Sequence, residues 1–132
     1  MNDKFKVIVA TIAFGLGINK PNVRYVIHKN IPKALEGYIQ ECGWAGRDWL
    51  NSECIFIYNF KDSKEHDFFI HSYEEEDWRK HHFKQLFWVI DFAEEKYICW
   101  RKMLLDYLGE NFDENECKKM CDNCCEGWKG VL

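Results

Sequence analysis

Apolar residues in the first part of the chain fall in short runs that are separated by turn residues. Residues 6–11 (KVIVAT), 23–28 (VRYVIH) and 53–59 (ECIFIYN) are rich in β-branched or aromatic side chains, as strands are. Residues 33–42 carry apolar side chains at helical spacing and end near Gly43. Strands that alternate with helical connections are typical of parallel βα units. The pattern predicts an α/β fold with a partial parallel sheet over residues 1–60.

The pattern changes in the remainder of the chain. Residues 61–82 are crowded with charge and predict a solvated connector, with a helix capped by Asp62 or Ser63. The acidic run at 74–77 fits an exposed helix face, and an interaction site is the alternative. Residues 83–132 predict a small helical subdomain of one or two helices that stop at Gly109. Its apolar residues recur near a period of 3.6 at Phe83, Leu86, Phe87, Ile90, Ala93, Tyr97, Trp100, Leu104 and Leu108.

Composition narrows the class of protein. With 47% hydrophobic and 17% aromatic residues the chain should fold, while its apolar runs are shorter than the roughly 18 residues that span a bilayer. We therefore expect no membrane partner. A net charge of −4 argues against a module that holds nucleic acid by itself. Seven cysteines, an odd number, indicate thiols or metal ligands in a reducing, intracellular compartment.

The strongest chemical signal is the run CKKMCDNC at residues 117–124. Closely spaced cysteines on tight turns are typical of tetrahedral zinc sites, so we predict structural Zn²⁺ held by Cys99, Cys117, Cys121 and Cys124. Cys125 duplicates the last ligand position and leaves the choice between Cys124 and Cys125 open. Free thiols are the alternative to a metal. Cys42 and Cys54, in the α/β part, are expected to pack as small hydrophobic residues.

Three segments, in order, resemble the RecQ-family DNA helicases. VIVATIAFGLGINKPNVRYVIH (7–28) resembles their motif V, and EGYIQECGWAGRDW (36–49) resembles motif VI. YICWRKMLLDYLGE (97–110), followed by CKKMCDNCC (117–125), is similar to the family's zinc-binding subdomain, closest to the RecQ1-like branch. The resemblance implies the C-terminal part of a second RecA-like motor domain at 1–60, a charged connector at 61–82 and a helical zinc-binding subdomain at 83–132.

The resemblance also implies roles for single residues. Arg47 would be the arginine finger of an ATP cleft that Asn19 and Gln40 also border, and Thr11 would face the phosphates of DNA. An exposed arginine in an ordinary turn is the alternative for Arg47. As part of a complete enzyme, the chain would serve ATP-dependent 3′-5′ unwinding of DNA in repair, recombination or replication, in the nucleus if the source is eukaryotic.

The chain departs from the family pattern in two ways. Where the family has G-R-A-G-R-D-G, this sequence has Trp44 and Trp49 in place of the first arginine and the last glycine. It also contains neither a G-x-x-x-x-G-K-S/T loop nor a DExH box, so ATP and Mg²⁺ would need the missing first RecA-like domain. We therefore expect an inactive fragment, partial gene model or truncated paralogue. The alternative is a non-catalytic, zinc-stabilised interaction module derived from a helicase.

Overall fold

The computed structural model describes residues 6–11 and 20–125 of the protein. In chain order its elements are β1 (Tyr25–His28), α1 (Leu35–Cys42), β2 (Glu53–Phe56), α2 (Phe60–His71), α3 (Glu76–Glu94) and α4 (Trp100–Tyr107), followed by two short 3-10 turns, Glu114–Cys117 and Asp122–Cys124. Among these described helices, none combines the length and the apolar character that crossing a bilayer requires.

The two strands form a parallel pair. Tyr25 lies opposite Glu53 and His28 lies opposite Phe56, and α1 provides the crossover that parallel neighbours need. A helical region follows this βαβ unit along the chain. The predicted fold class, an α/β part followed by a helical subdomain, is therefore confirmed.

The strand predicted over residues 6–11 is not formed. These residues have no regular secondary structure, and the side chains of Val7 and Val9 are 79% and 95% exposed. A β-branched run becomes a strand only where a neighbouring strand satisfies its backbone groups, and in the described part of the chain β1 pairs with β2 alone. The local preference of these residues is therefore not sufficient.

One face of β1 packs against α1. The His28 ring is buried 4.8 Å from the ring of Tyr38, and its Nε2 lies 2.7 Å from Oε2 of Glu41, close enough for an ion pair but not aligned as a hydrogen bond. Tyr25 and Ile27, which alternate with the inward residues, are both more than half exposed. The sheet is thus covered on one side within the described residues.

The core lies where α1, α2 and α3 meet. Its buried side chains are Ile31, Leu35, Tyr38, Ile70, Leu86, Val89 and Phe92. Tyr38 of α1 contacts Phe92 of α3 with ring centroids 5.5 Å apart, which joins the α/β part to the helical part. Each fully buried side chain of this size contributes roughly 1.5–3 kcal/mol, so this cluster holds both parts together.

Residues 61–82 are mostly helical. The α2 helix starts at Phe60, and the side chain of Asn59, rather than Asp62 or Ser63, caps it by accepting a hydrogen bond from the Lys61 amide at 3.0 Å. Ser63 is buried and donates to the Phe60 carbonyl at 2.6 Å. The predicted capping residues are therefore wrong by a few positions, while the helix through Ile70 is confirmed.

Residues 83–108 include the C-terminal part of α3 and all of α4. The α3 helix continues unbroken through residues 82 and 83 to Glu94, and α4 ends before Gly109, whose φ of 81° stops the helix as predicted. The buried face of α3 consists of Leu86, Val89 and Phe92. Phe87 was expected on the buried stripe, but it is 67% exposed because it lies on nearly the opposite side of the helix from this face.

Candidate functional site

Four cysteines meet beside the N-terminal end of α4. Cys99 directly precedes α4. Cys117 and Cys124 are the last residues of the two 3-10 turns, and Cys121 directly precedes the second turn. Their four Sγ atoms all lie within 4.8 Å of one another, and those of Cys99 and Cys121 are 3.8 Å apart. Zinc–sulfur bonds of about 2.3 Å in a tetrahedron place sulfurs about 3.8 Å apart, so the donor set fits Zn²⁺. Cys125 is exposed and lies outside this cluster.

The turn between Cys117 and Cys121 brings the sulfurs together. Lys118 and Lys119 both adopt positive φ, 51° and 61°, which reverses the chain between the two cysteines. Burial acts to raise the pKa of Cys121, but hydrogen bonds from the Trp100 amide and neighbouring thiols outweigh it and lower the pKa to about 7. Metal ligation requires thiolates, so a lowered pKa suits Cys121 as a ligand.

Two polar side chains brace the loop that presents Cys99. Oε1 of Glu95 accepts hydrogen bonds from the amides of Lys96, Tyr97 and Ile98 at 2.9, 2.7 and 3.1 Å. These amides hold the pKa of Glu95 below its ordinary value. From the other side, Nδ2 of Asn123 donates to the carbonyls of Glu95 and Ile98 at 3.1 and 2.8 Å. Asn123 thus ties the last cysteine turn to the Cys99 loop.

The second candidate region is the loop that follows α1, residues 43–52, which we call the arginine loop. Arg47 is exposed near its centre, and its Nε donates to the Gly43 carbonyl at 3.0 Å. Gly46 has a φ of 63°, and a Cβ there would lie 2.5 Å from Oγ of Ser52. Only glycine therefore fits this position. The Gly46 amide donates to the Val23 carbonyl at 2.9 Å and so anchors the loop beside β1.

An ion pair fixes the far side of the arginine loop. Nη2 of Arg24 donates to both carboxylate oxygens of Asp48 at 2.6 and 2.5 Å, and Nη1 donates to the Asn51 carbonyl at 2.9 Å. The hydrogen bond from Arg24 lowers the pKa of Asp48. Arg47 is therefore an exposed residue on a loop that is held at Gly46 and Asp48, on both sides of it.

The sequence matches known families over both regions. Residues 60–125 match the RecQ zinc-binding family, and residues 1–48 match the helicase conserved C-terminal domain. This chain belongs to the RecQ helicase family. It is similar to the ATP-dependent DNA helicase hus2/rqh1 of Schizosaccharomyces pombe, with 49% identity over 92% of the chain. It is also 45% identical to the RecQ-like DNA helicase BLM of Xenopus laevis over 92% of the chain, and 40% identical to the ATP-dependent DNA helicase RecQ of Bacillus subtilis over 96%.

The RecQ relatives are much longer proteins. The aligned region spans 9% of the fission yeast helicase, 10% of the frog helicase and 21% of the Bacillus helicase. The chain therefore corresponds to one RecQ region, in which the helicase C-terminal match precedes the zinc-binding match. The cysteine cluster, at Cys99 and residues 117–124, lies inside the zinc-binding match.

Both tryptophans that depart from the RecQ motif lie on the arginine loop. Trp49 has a φ of 65°, so a tryptophan adopts a backbone conformation that suits the glycine of the family pattern. Its side chain is 97% exposed. This conformation costs a non-glycine residue roughly 1–2 kcal/mol. Trp44 is half-buried at the start of the loop. Its neutral N–H replaces the charged, five-donor guanidinium of the family arginine.

The other predicted RecQ site residues are not brought together with Arg47 as one described cluster. Gln40 is exposed on α1, the helix that leads into the arginine loop, and Thr11 is exposed in a segment without regular structure. Asn19 lies outside the described residues. Sequence reasoning missed Arg24, Glu95 and Asn123, whose contacts are made with residues distant in sequence or with backbone groups. Asn123 lies between two predicted ligands in the sequence, and this position could have indicated its role beside the cysteine cluster.

Proposed function

We propose that this chain supplies one wall of the ATP cleft of a RecQ helicase, together with a zinc-stabilised subdomain. The observation that carries the proposal is the exposed Arg47 on a loop fixed at Gly46 and Asp48, within a segment similar to motif VI. An arginine that is positioned in advance stabilises the charge that develops on a transferring phosphoryl group. Arg47 would act as this arginine finger.

The remaining roles are proposed from the resemblance to the RecQ motifs V and VI. Gln40, on the helix that enters the arginine loop, and Asn19 would border the nucleotide, and Thr11 would contact the phosphates of DNA. ATP and Mg²⁺ would be held by a first RecA-like domain, because a phosphate-cradling loop does not occur in these 132 residues. In a complete RecQ protein, the activity supported by these roles is ATP-dependent 3′-5′ unwinding of DNA during repair, recombination or replication.

The cysteine cluster would stabilise this region rather than catalyse a reaction. Four sulfurs fill a tetrahedral zinc site, so no coordination position would remain for a water nucleophile. Cys99, Cys117, Cys121 and Cys124 would hold Zn²⁺, which supplies cross-links between the loop before α4 and the two 3-10 turns. We also propose that the chain divides into residues 1–60, 61–82 and 83–132.

The experiment compares the 132-residue chain alone with a joined protein, in which this chain replaces the aligned region of the complete Bacillus RecQ relative. DNA-stimulated ATP hydrolysis should be absent from the chain alone and present in the joined protein. Hydrolysis by the chain alone would refute the claim that it is inactive by itself. No hydrolysis by a joined protein that is folded and zinc-loaded would count against the cleft-wall role.

Trp44 favours a second candidate function, a non-catalytic interaction module. Replacing the family arginine by an indole removes a permanent charge from the arginine loop. If Trp44 impairs a catalytic protein, Trp44→Arg in the joined protein should raise ATP hydrolysis. If neither form hydrolyses ATP while both bind DNA, the interaction module is the better description.

A further inference from the structure

Two cysteines outside the zinc cluster flank the arginine loop. Cys42 is the last residue of α1, and Cys54 is the second residue of β2. The thiol of Cys54 lies 3.7 Å from the carbonyl oxygen of Cys42 and donates to it, so the Cys54 side chain lies against the end of α1. The prediction that both residues pack as small hydrophobic side chains is wrong for Cys54, which is exposed, while Cys42 packs against the core.

The two thiols differ in character. The neighbouring Cys42 thiol lowers the pKa of Cys54, whereas the interaction with Cys54, together with burial, raises the pKa of Cys42. Cys54 is therefore the better nucleophile and Cys42 the protonated neighbour. An exposed thiol of lowered pKa beside a second thiol is the arrangement found at oxidation-sensitive cysteines.

We propose that Cys42 and Cys54 form a thiol-oxidation site that closes to a disulfide under a peroxide-class oxidant. The Cys54 thiolate attacks one peroxide oxygen, the O–O bond breaks, and the leaving hydroxide takes up a proton to become water. The resulting sulfenic acid is attacked by the Cys42 sulfur, which gives up its proton. The S–S bond forms, the S–O bond breaks and a second water leaves. Two thiols lose two electrons, and the peroxide gains them.

The bond would close a ring around the whole arginine loop, because residues 43–53 lie between the two cysteines. α1 and β2 would then be covalently joined at the two points where the loop begins and ends. We expect slower backbone hydrogen exchange in the loop after oxidation. An effect on ATP hydrolysis through Arg47 would rest on the proposed function, whereas the oxidation site itself does not.

The test treats the zinc-loaded 132-residue chain with hydrogen peroxide and maps its cysteines by mass spectrometry. We expect a linked Cys42–Cys54 peptide with a loss of about 2 Da, which is reversed by dithiothreitol. Cys42→Ser should leave a Cys54 sulfenic acid that dimedone traps, and Cys54→Ser should leave Cys42 reduced. Cys125→Ser, which alters an exposed cysteine outside the pair, should still give the linked peptide.

The proposal is overturned if wild-type protein that retains its zinc gives no Cys42–Cys54 peptide while Cys125 or the cluster cysteines are oxidised. Mapping of the wild type decides the question even if a serine variant fails to fold. Because the readout does not involve ATP, a negative result leaves the proposed helicase function untouched. A negative ATPase result would likewise leave the oxidation site untouched.

Discussion

Arg24, the residue before β1, donates two hydrogen bonds from one guanidinium nitrogen to the carboxylate of Asp48 in the arginine loop, at 2.6 and 2.5 Å. The side chains are 31% and 25% exposed. Solvent screens the charges of a partly exposed ion pair. This contact therefore contributes more to the shape of the arginine loop than to the free energy of unfolding. Arg47, next to Asp48 in sequence, takes its position from this contact.

The lowered pKa of Asp48 predicts a pH dependence. A carboxyl group whose folded-state pKa is depressed contributes stability above its ordinary value, 3.8, and loses that contribution as the pH falls through the lowered value. The difference in urea midpoint between wild type and Asp48→Asn should therefore be largest near neutral pH and shrink in acid. Arg24→Ala should remove the same pH-dependent difference. A difference that stays constant down to strongly acidic pH would contradict the pairing.

The cysteine cluster predicts about one zinc ion per chain. Cys121→Ser should abolish stoichiometric zinc binding, because it removes one of four sulfur ligands, whereas Cys125→Ser should retain the metal. Chelation should also unfold residues 95–125, since structural zinc contributes roughly 10 to 16 kcal/mol of binding free energy in small metal-organised units. Metal analysis and circular dichroism check both points. Equal zinc loss in the two variants would contradict the assignment of Cys124 over Cys125.

The brace from Asn123 predicts a role in metal affinity without direct ligation. Asn123→Ala removes both hydrogen bonds to the Cys99 loop and should weaken zinc binding by about tenfold, within the range for residues that orient ligands. Asn115→Ala is the matched control, since among the described residues its side-chain amide donates to nearby Asp113 alone. Competition with a chromophoric chelator measures both affinities. Identical affinities in the two variants would show that the brace does not support the site.

The backbone at Trp49 predicts a stabilising substitution. Trp49→Gly should raise the free energy of unfolding by about 1 kcal/mol, because relief of the left-handed strain exceeds the added chain entropy and the exposed indole loses little packing. Leu50→Gly, at the next exposed position, should lower it instead. Urea denaturation measures both changes. A loss of stability in Trp49→Gly would mean that the indole makes contacts that outweigh its backbone strain.

Sequence reasoning succeeded where the signal is local. The helical spacing before Gly43 and the β-branched residues of β1 and β2 are determined by near neighbours, and cysteine spacing identified the cluster. It failed at residues 6–11, where strand formation depends on a partner strand. It also misplaced Phe87, because the face of α3 that is buried is chosen by its contact with Tyr38 on α1.

The residues that position the arginine loop and the cysteine cluster were harder to predict, because their partners are distant in sequence. Arg24 reaches Asp48 across 24 positions of sequence, and Asn123 reaches Ile98 across 25. Such contacts exist only after the chain has folded. In contrast, the positive φ at Trp49 could be anticipated from the glycine that the RecQ pattern has there.

The central claim is that Arg47 completes a nucleotide cleft with a domain that this sequence does not contain. The most direct measurement is DNA-stimulated ATP hydrolysis by the joined protein, in which this chain replaces the aligned region of the Bacillus RecQ relative. Arg47→Ala is compared there with Lys64→Ala, which alters an exposed cation on α2. We predict that Arg47→Ala lowers kcat on the order of 10³- to 10⁵-fold with a much smaller change in KM for ATP, while Lys64→Ala leaves kcat unchanged. Equal turnover by the two variants would contradict the account.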